Sequence, residues 1–349
     1  MTPITRRRIS LWVSIVIFCG VVSILYSLML SKIVPFEWSI KHGMIAFRTG
    51  ILISGVSAAL EVFYFPNRAG VWLRRMPFIL SLFLHLLIQF LVIFTGLLVT
   101  RELSAFMWGP DPIDLWGGGA FIRDMVFGSI LLGVSFIFLQ MRSLIGGRTL
   151  RNFLLGRYNK PKKENCIFMF IDVVGSTKIA RELGDKEFHE FLSRFFFEID
   201  DIIINHGGEV HSYVGDAVIV TWGMKTRQAN ARAVEAVFAI DTRIKEQGAE
   251  FEIQFGVAPK FHAALHGGPV VAGECGDSHR QITYLGDVVN VTARIEGVTK
   301  VLNRQVIISE VLLEQMDLPD TVEVEKLGHH DLKGVDGEIG LISLTLRSE

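Results

Sequence analysis

The sequence predicts an α+β protein in two parts: a four-helix transmembrane domain, then a domain mixing strands with helices. Three observations predict it. The 349 residues are 50% hydrophobic with a mean hydropathy of +0.40, an average that joins two unlike halves. Up to residue 140 long apolar runs dominate, whereas from residue 164 the composition is that of a soluble domain of mixed charge. Four of the runs reach the length of about 20 residues that crosses a bilayer core.

Those runs are Ile9–Leu30, Met44–Phe65, Phe78–Val99 and Phe121–Gln140. The first is too long for the apolar segment of a signal peptide, lacks a small-residue cleavage site and is followed by three more. Charge in the short links sets the orientation. Arg6, Arg7 and Arg8 precede the first span; Arg68, Arg74 and Arg75 join the second to the third. Arg142, Arg148, Arg151, Arg157, Lys160, Lys162 and Lys163 follow the fourth, while the longer remaining loop carries Glu102, Asp111 and Asp114. The sequence therefore predicts a multi-pass protein of the inner (plasma) membrane, in contact with the lipid bilayer, with both termini cytoplasmic. Within the spans, Arg48 and Glu61 lie one turn from a membrane face and are expected to snorkel. His85 and Gln89, four apart on one helix face, read as an interhelical hydrogen bond ahead of a ligand site.

Residues 1–140 form the predicted membrane domain, 141–163 a basic linker and 164–349 the second domain. Leu150, Phe153, Leu154 and Leu155 suggest that the linker continues the fourth helix until Pro161 ends it. It serves either as a relay between paired copies or as a collar binding lipid headgroups. The net charge of -1 gives no reason to expect nucleic-acid binding, and three scattered cysteines make neither a disulfide framework nor a zinc pattern.

In the second domain, Cys166–Asp172 is an apolar run of strand character. Asp172 ends it, Val173, Val174, Gly175, Ser176 and Thr177 follow, and a helical pattern begins near Lys178. Ser176 or Thr177 suits the helix N-cap. Free N–H groups of this turn, Gly175 to Thr177, are placed to hold phosphate oxygens beside the Asp172 carboxylate. Taken alone, Asp172 reads first as a helix cap. Glu209–Tyr213 and Ala217–Trp222 read as a hairpin with Val214, Gly215 and Asp216 at its tip. Two carboxylates from adjacent strands suit two Mg²⁺ ions, which prefer oxygen ligands. Farther on, Gly286 and Asp287 open a helix that carries Asn290 and Arg294 on one face. An amide and a guanidinium so placed suit a ribose and a phosphate in flight, although a polar surface pair is common.

Phe-Ile-Asp-Val-Val-Gly-Ser-Thr, then Tyr-Val-Gly-Asp, then Gly-Asp-Val-Val-Asn-Val-Thr-Ala-Arg resemble, in order and spacing, the motifs of the class III nucleotidyl cyclases. The resemblance covers residues 164–346. It implies a ferredoxin-like βαββαβ core, and an active site shared by two catalytic domains in a head-to-tail homodimer. It implies Asp172, Asp216 and the Val173 carbonyl as ligands of two Mg²⁺ (or Mn²⁺) per site, Asn290 as the ribose-orienting residue and Arg294 as the one stabilising the pentavalent phosphate. Lys333, in Leu332-Lys333-Gly334, implies a triphosphate contact on a looser alignment. The implied reaction converts ATP to 3′,5′-cyclic AMP and pyrophosphate.

Base choice in the family rests on two positions, occupied here by Ser212 and Thr283. Thr283 is of the adenylyl type; Ser212 is neither the adenylyl Lys nor the guanylyl Glu. A guanylyl or relaxed-specificity cyclase, and a weakly active or inactive nucleotide-binding membrane receptor, are the alternatives. Strand alternation puts His211 on the opposite face from Ser212. Phe195, Phe196 and Phe197 read as packing residues, and His329 and His330 as a surface loop.

Overall fold

The computed structural model describes residues 3–33, 39–65, 76–109, 118–145, 156–157, 160–276, 281–335 and 337–347. The chain divides into two compact units, Met1–Gly146 and Gly147–Glu349.

The first unit holds helices α1 (Pro3–Ile33), α2 (Ile40–Ala59, continued by a π turn at Leu60–Tyr64), α3 (Phe78–Trp108) and α4 (Gly118–Ile145). Among the described residues, four stretches are long and apolar enough to cross a membrane: Arg8–Ser31, Ile40–Tyr64, Leu80–Met107 and Phe121–Met141. Apolar runs of this length form helices because a helix satisfies its own backbone polar groups. Ile53, Ile93, Leu97, Met125 and Leu132 pack inside, while Phe18, Phe83 and Ile122 stand exposed on the outside. A helix set apolar on both sides suits lipid surroundings.

Several polar side chains in this unit are paired across helices. Arg48 donates to the Thr100 carbonyl at 3.1 Å, and Tyr26 donates to Asp124 at 2.7 Å. The expected interhelical bond is made by Gln89: Ser57 Oγ donates to its Oε1 at 2.5 Å, and its Nε2 donates to Glu61 at 3.2 Å. Glu61 is thus tied to α3 instead of reaching for a membrane face. His85 Nδ1 stays on its own helix, 2.8 Å from the Ser81 carbonyl. Most of the linker, with Arg148, Arg151 and Leu150 to Leu155, lies outside the described residues, as do Arg68, Arg74, Arg75, Asp111 and Asp114.

The second unit is built on strands β1 (Lys162–Val173), β2 (Glu209–Val214), β3 (Ala217–Gly223), β4 (Phe261–Cys275), β5 (Gln281–Leu285), β6 (Val306–Ser309), β7 (Val322–Asp331) and β8 (Glu338–Leu346). Helices α5 (Ser176–Leu183), α6 (Asp185–Asn205), α7 (Arg227–Phe255), α8 (Asp287–Leu302) and the single turn α9 (Glu310–Leu313) connect them. The sheet order is β2-β3-β1-β4-β6-β8-β7, with β5 on the far end of β4. β4 pairs in parallel with β6, whereas the first four strands of the sheet are antiparallel to one another. With α6 and α7 between them they make the βαββαβ order of a ferredoxin-like core, so the α+β expectation holds.

β1 is central and covered on both faces, which explains its continuous apolar run. Ile167, Met169 and Ile171 meet Phe191 and Phe195 of α6 and Val234 and Val237 of α7. On the other face Cys166 and Phe168 meet Val270 and Val288, and α8 lays Val291 and Ile295 over Ala264 and Ile307. Each fully buried Phe or Ile contributes about 1.5–3 kcal/mol. Of the phenylalanine triplet, Phe195 is buried, Phe196 meets Tyr213 with centroids 4.6 Å apart, and Phe197 is exposed. His329 and His330 are not in a loop: they lie in β7, paired with Gly340 and Ile339 of β8.

Candidate active site

The site starts from the β1–β3 register. Asp172 pairs with Ala217, so Asp216, the residue before it, stands at the end of the neighbouring strand. The hairpin turn is two residues, Gly215 and Asp216, with Val214 already in β2. Gly215 takes φ +62°, a left-handed conformation that glycine adopts without a Cβ penalty. Asp172 is 7% exposed. Burial pushes its carboxyl up, Lys300 pulls it down by a hydrogen bond, and the charges of Asp216 and Glu296 push it up again; the net direction is upward.

After β1 the chain turns through Gly175, at φ +69°, into α5. The cap position is Gly175 and not Ser176 or Thr177, because the left-handed turn falls one residue earlier. Its carbonyl accepts from the Lys178 and Ile179 N–H groups at 2.9 and 3.0 Å. Among the described residues, the N–H groups of Gly175, Ser176 and Thr177 make no backbone hydrogen bond outside the regular elements, as expected of a helix start. The Val173 side chain points into the core.

Asn290 and Arg294 are exposed on α8, which Gly286 caps at φ +148°. Among the described residues, no hydrogen bond or ion pair joins either of them to Asp172 or Asp216 of the same chain. Lys333 stands exposed in the β7–β8 turn, likewise unbonded to those carboxylates.

Thr283 lies on β5 opposite Gly273, and Ser212 on β2 opposite Ile219. Between Val210 and Ser212 the ladder slips by one residue, leaving His211 without a partner in register. The expected opposite-face placement of His211 is therefore wrong, because a bulge interrupts the alternation. Its ring meets Tyr284 edge-on at 5.2 Å, and Tyr284 meets Phe168 at 5.3 Å, on the same face as Ile219.

Sequence reasoning missed Lys300 and Glu296. Lys300 Nζ lies 2.8 Å from Asp172 Oδ2 and 2.9 Å from Glu296 Oε1. Burial disfavours its charge, but Asp172 and Glu296 outweigh that and hold its pKa above the ordinary lysine value. The i,i+4 spacing of the Glu–Lys pair was readable; its reach to Asp172 was not.

The donor set fits Mg²⁺ or Mn²⁺: two neighbouring carboxylates supply hard oxygen ligands, and such ions keep several waters and substrate oxygens. Among the described residues no group of three His, Cys, Asp or Glu side chains is placed to hold a metal ion.

Residues 158–344 match the family described as adenylate and guanylate cyclase catalytic domain. The chain belongs to that family, the class III nucleotidyl cyclases, with four helices apolar enough for a membrane ahead of the catalytic domain. It is 39% identical over 227 residues to adenylate cyclase 2 of Rhizobium meliloti (strain 1021), covering 65% of this chain and 62% of that protein. Against an adenylate cyclase of Mycobacterium tuberculosis (strain ATCC 25618 / H37Rv) it is 27% identical over 184 residues, covering 53% and 39%. The chain thus spans less than two thirds of the length of these curated relatives. A solved structure of a bacterial light-regulated adenylyl cyclase superposes with a TM-score of 0.56 at 21% identity, covering 68% of this chain and 69% of that one. That likeness shows the fold alone.

Proposed function

We propose that this chain is a membrane-bound adenylyl cyclase, converting ATP to 3′,5′-cyclic AMP and pyrophosphate at the interface of a head-to-tail homodimer. The observation that carries the reading is the pairing of Asp172 with Ala217, which sets two carboxylates side by side. Asn290 and Arg294 stay exposed and unbonded to them, available to a second copy. Relatives named adenylate cyclase support the choice of reaction. Residues 1–140 are read as the membrane domain, 141–163 as the linker and 164–349 as the catalytic domain, with both termini on the cytoplasmic side of the plasma membrane.

Asp172 and Asp216, with the Val173 carbonyl, would hold two Mg²⁺ (or Mn²⁺). When bound, these ions screen the triphosphate and lower the pKa of the 3′-hydroxyl. Asn290 of the second copy orients the ribose, so that the 3′-oxygen faces the α-phosphorus in line with the departing pyrophosphate. Arg294 donates to phosphate oxygens whose charge grows in the transition state. The N–H groups of Gly175, Ser176 and Thr177, together with Lys333, take triphosphate oxygens. No side chain acts as a nucleophile, because the attacking group belongs to the substrate.

Ser212 favours a second reading, a cyclase of relaxed base choice. Thr283 accepts a hydrogen bond from the adenine amino group, but Ser212 is shorter than Lys and uncharged. Incubating the purified full chain with ATP or GTP and Mg²⁺ or Mn²⁺, and identifying product by mass, tests both readings. Cyclic AMP from ATP, lost in Asp172→Ala and Asp216→Ala, is expected. Equal turnover of GTP would favour the second reading. No cyclic product from a folded dimer would leave a nucleotide-binding receptor.

A further inference from the structure

Glu296 and Lys300 stand four apart on α8, with Lys300 in the last turn, where the helix dipole favours a cation. The ammonium bridges two carboxylates, Glu296 of its own helix at 2.9 Å and Asp172 of β1 at 2.8 Å. Asp172 is buried at the edge of the acidic pair, so its charge calls for a counter-charge. Lys300 supplies that charge through a flexible stem that leaves its side chain 51% exposed. Mg²⁺ approaches a carboxylate oxygen to about 2.0–2.1 Å. Oδ2 of Asp172 cannot hold an ammonium and such an ion at once without strong repulsion between them.

We propose that Lys300 is an internal counter-cation of the metal site: its ammonium and a divalent cation compete for Asp172, and Lys300 thereby sets the affinity of the site. Glu296 keeps the ammonium on α8 when it leaves Asp172, so the exchange breaks one ion pair and not two. The inference rests on reading Asp172 and Asp216 as metal ligands. It gives Lys300 a positioning role outside the chemical step.

The test is Mn²⁺ binding to the full chain in detergent, followed by the loss of the free-ion paramagnetic resonance signal, with no nucleotide present. Lys300→Met is expected to bind Mn²⁺ at least about tenfold more tightly than wild type, because a cation beside the site has gone. Lys300→Arg keeps the charge and is expected to stay within about threefold. Equal or weaker binding by Lys300→Met overturns the proposal. Asp172→Asn separates the two levels: if it binds Mn²⁺ as wild type does, the metal-ligand reading itself fails. If Lys300→Met does not fold, amine-reactive labelling of wild type decides. Lys300 is expected to label faster as Mn²⁺ is added, and a rate indifferent to Mn²⁺ overturns the proposal.

Discussion

The rings of His211 and Tyr284 meet edge-on with centroids 5.2 Å apart, where the β2 ladder slips by one residue. This contact ties the strand carrying Ser212 to the strand carrying Thr283, the two positions read as facing the purine. Such ring pairs contribute about 0.5–1.5 kcal/mol. His211→Ala is expected to raise KM for ATP by about fivefold, and His211→Phe, which keeps the ring contact, to leave it near wild type. Steady-state kinetics on both variants check this; identical behaviour of the two would refute it.

Ser212→Lys restores a long donor at the first base position. A hydrogen bond involving a charged group is worth about 1.5–3 kcal/mol. The ratio of kcat/KM for ATP over GTP is therefore expected to rise by about tenfold or more. Competition between the two nucleotides in one reaction, with both products quantified, measures it.

Gly286 holds φ +148°, and a Cβ there would sit 3.3 Å from the Pro269 carbonyl oxygen. An alanine at such a backbone angle costs about 1–3 kcal/mol. Gly286→Ala is expected to lower the melting temperature. By shifting the start of α8, and with it Asn290 and Arg294, it also lowers kcat by about tenfold or more. Unchanged kcat with a lowered melting point would detach the helix start from the chemistry.

His266 faces the Ser309 hydroxyl at 2.7 Å, and that hydroxyl takes the Leu312 N–H at the start of α9. Burial lowers His266 from its ordinary 6.5 to about 4. The unfolded chain takes up the proton near pH 6.5 and the folded one only near pH 4. Stability is therefore unaffected above that window, falls as pH drops through it and levels off below. The full loss is about 3 kcal/mol at most. Thermal melts of wild type and His266→Gln across this range are expected to converge as pH falls, since the variant lacks the titrating ring.

The parts of the molecule that were legible in sequence are those set by local pattern. Four apolar runs announced four helices, and the run ending at Asp172 announced a strand. Gly286 announced the start of α8. What escaped depended on pairing at a distance. The bulge at His211 is a register event between β2 and β3, so alternation within β2 alone misplaced the ring. His329 and His330, adjacent and without ligand spacing, read as a loop, because β7 is an edge strand exposed on both faces and shows no apolar alternation. Lys300 belonged to a readable Glu–Lys pair, but its second partner, Asp172, lies more than a hundred residues earlier and meets it only once α8 packs over β1.

The most direct test of a shared active site is complementation between two inactive chains. Asp172→Asn removes a metal carboxylate and Arg294→Ala removes the guanidinium, so each variant alone is expected to be inactive. Co-expressed in equal amount, half of the dimers are mixed, and each mixed dimer holds one intact site of two. Cyclic AMP production should therefore return to about one quarter of the wild-type value. Activity no greater than that of either variant alone, with mixed dimers demonstrably present, would contradict a site built from two chains.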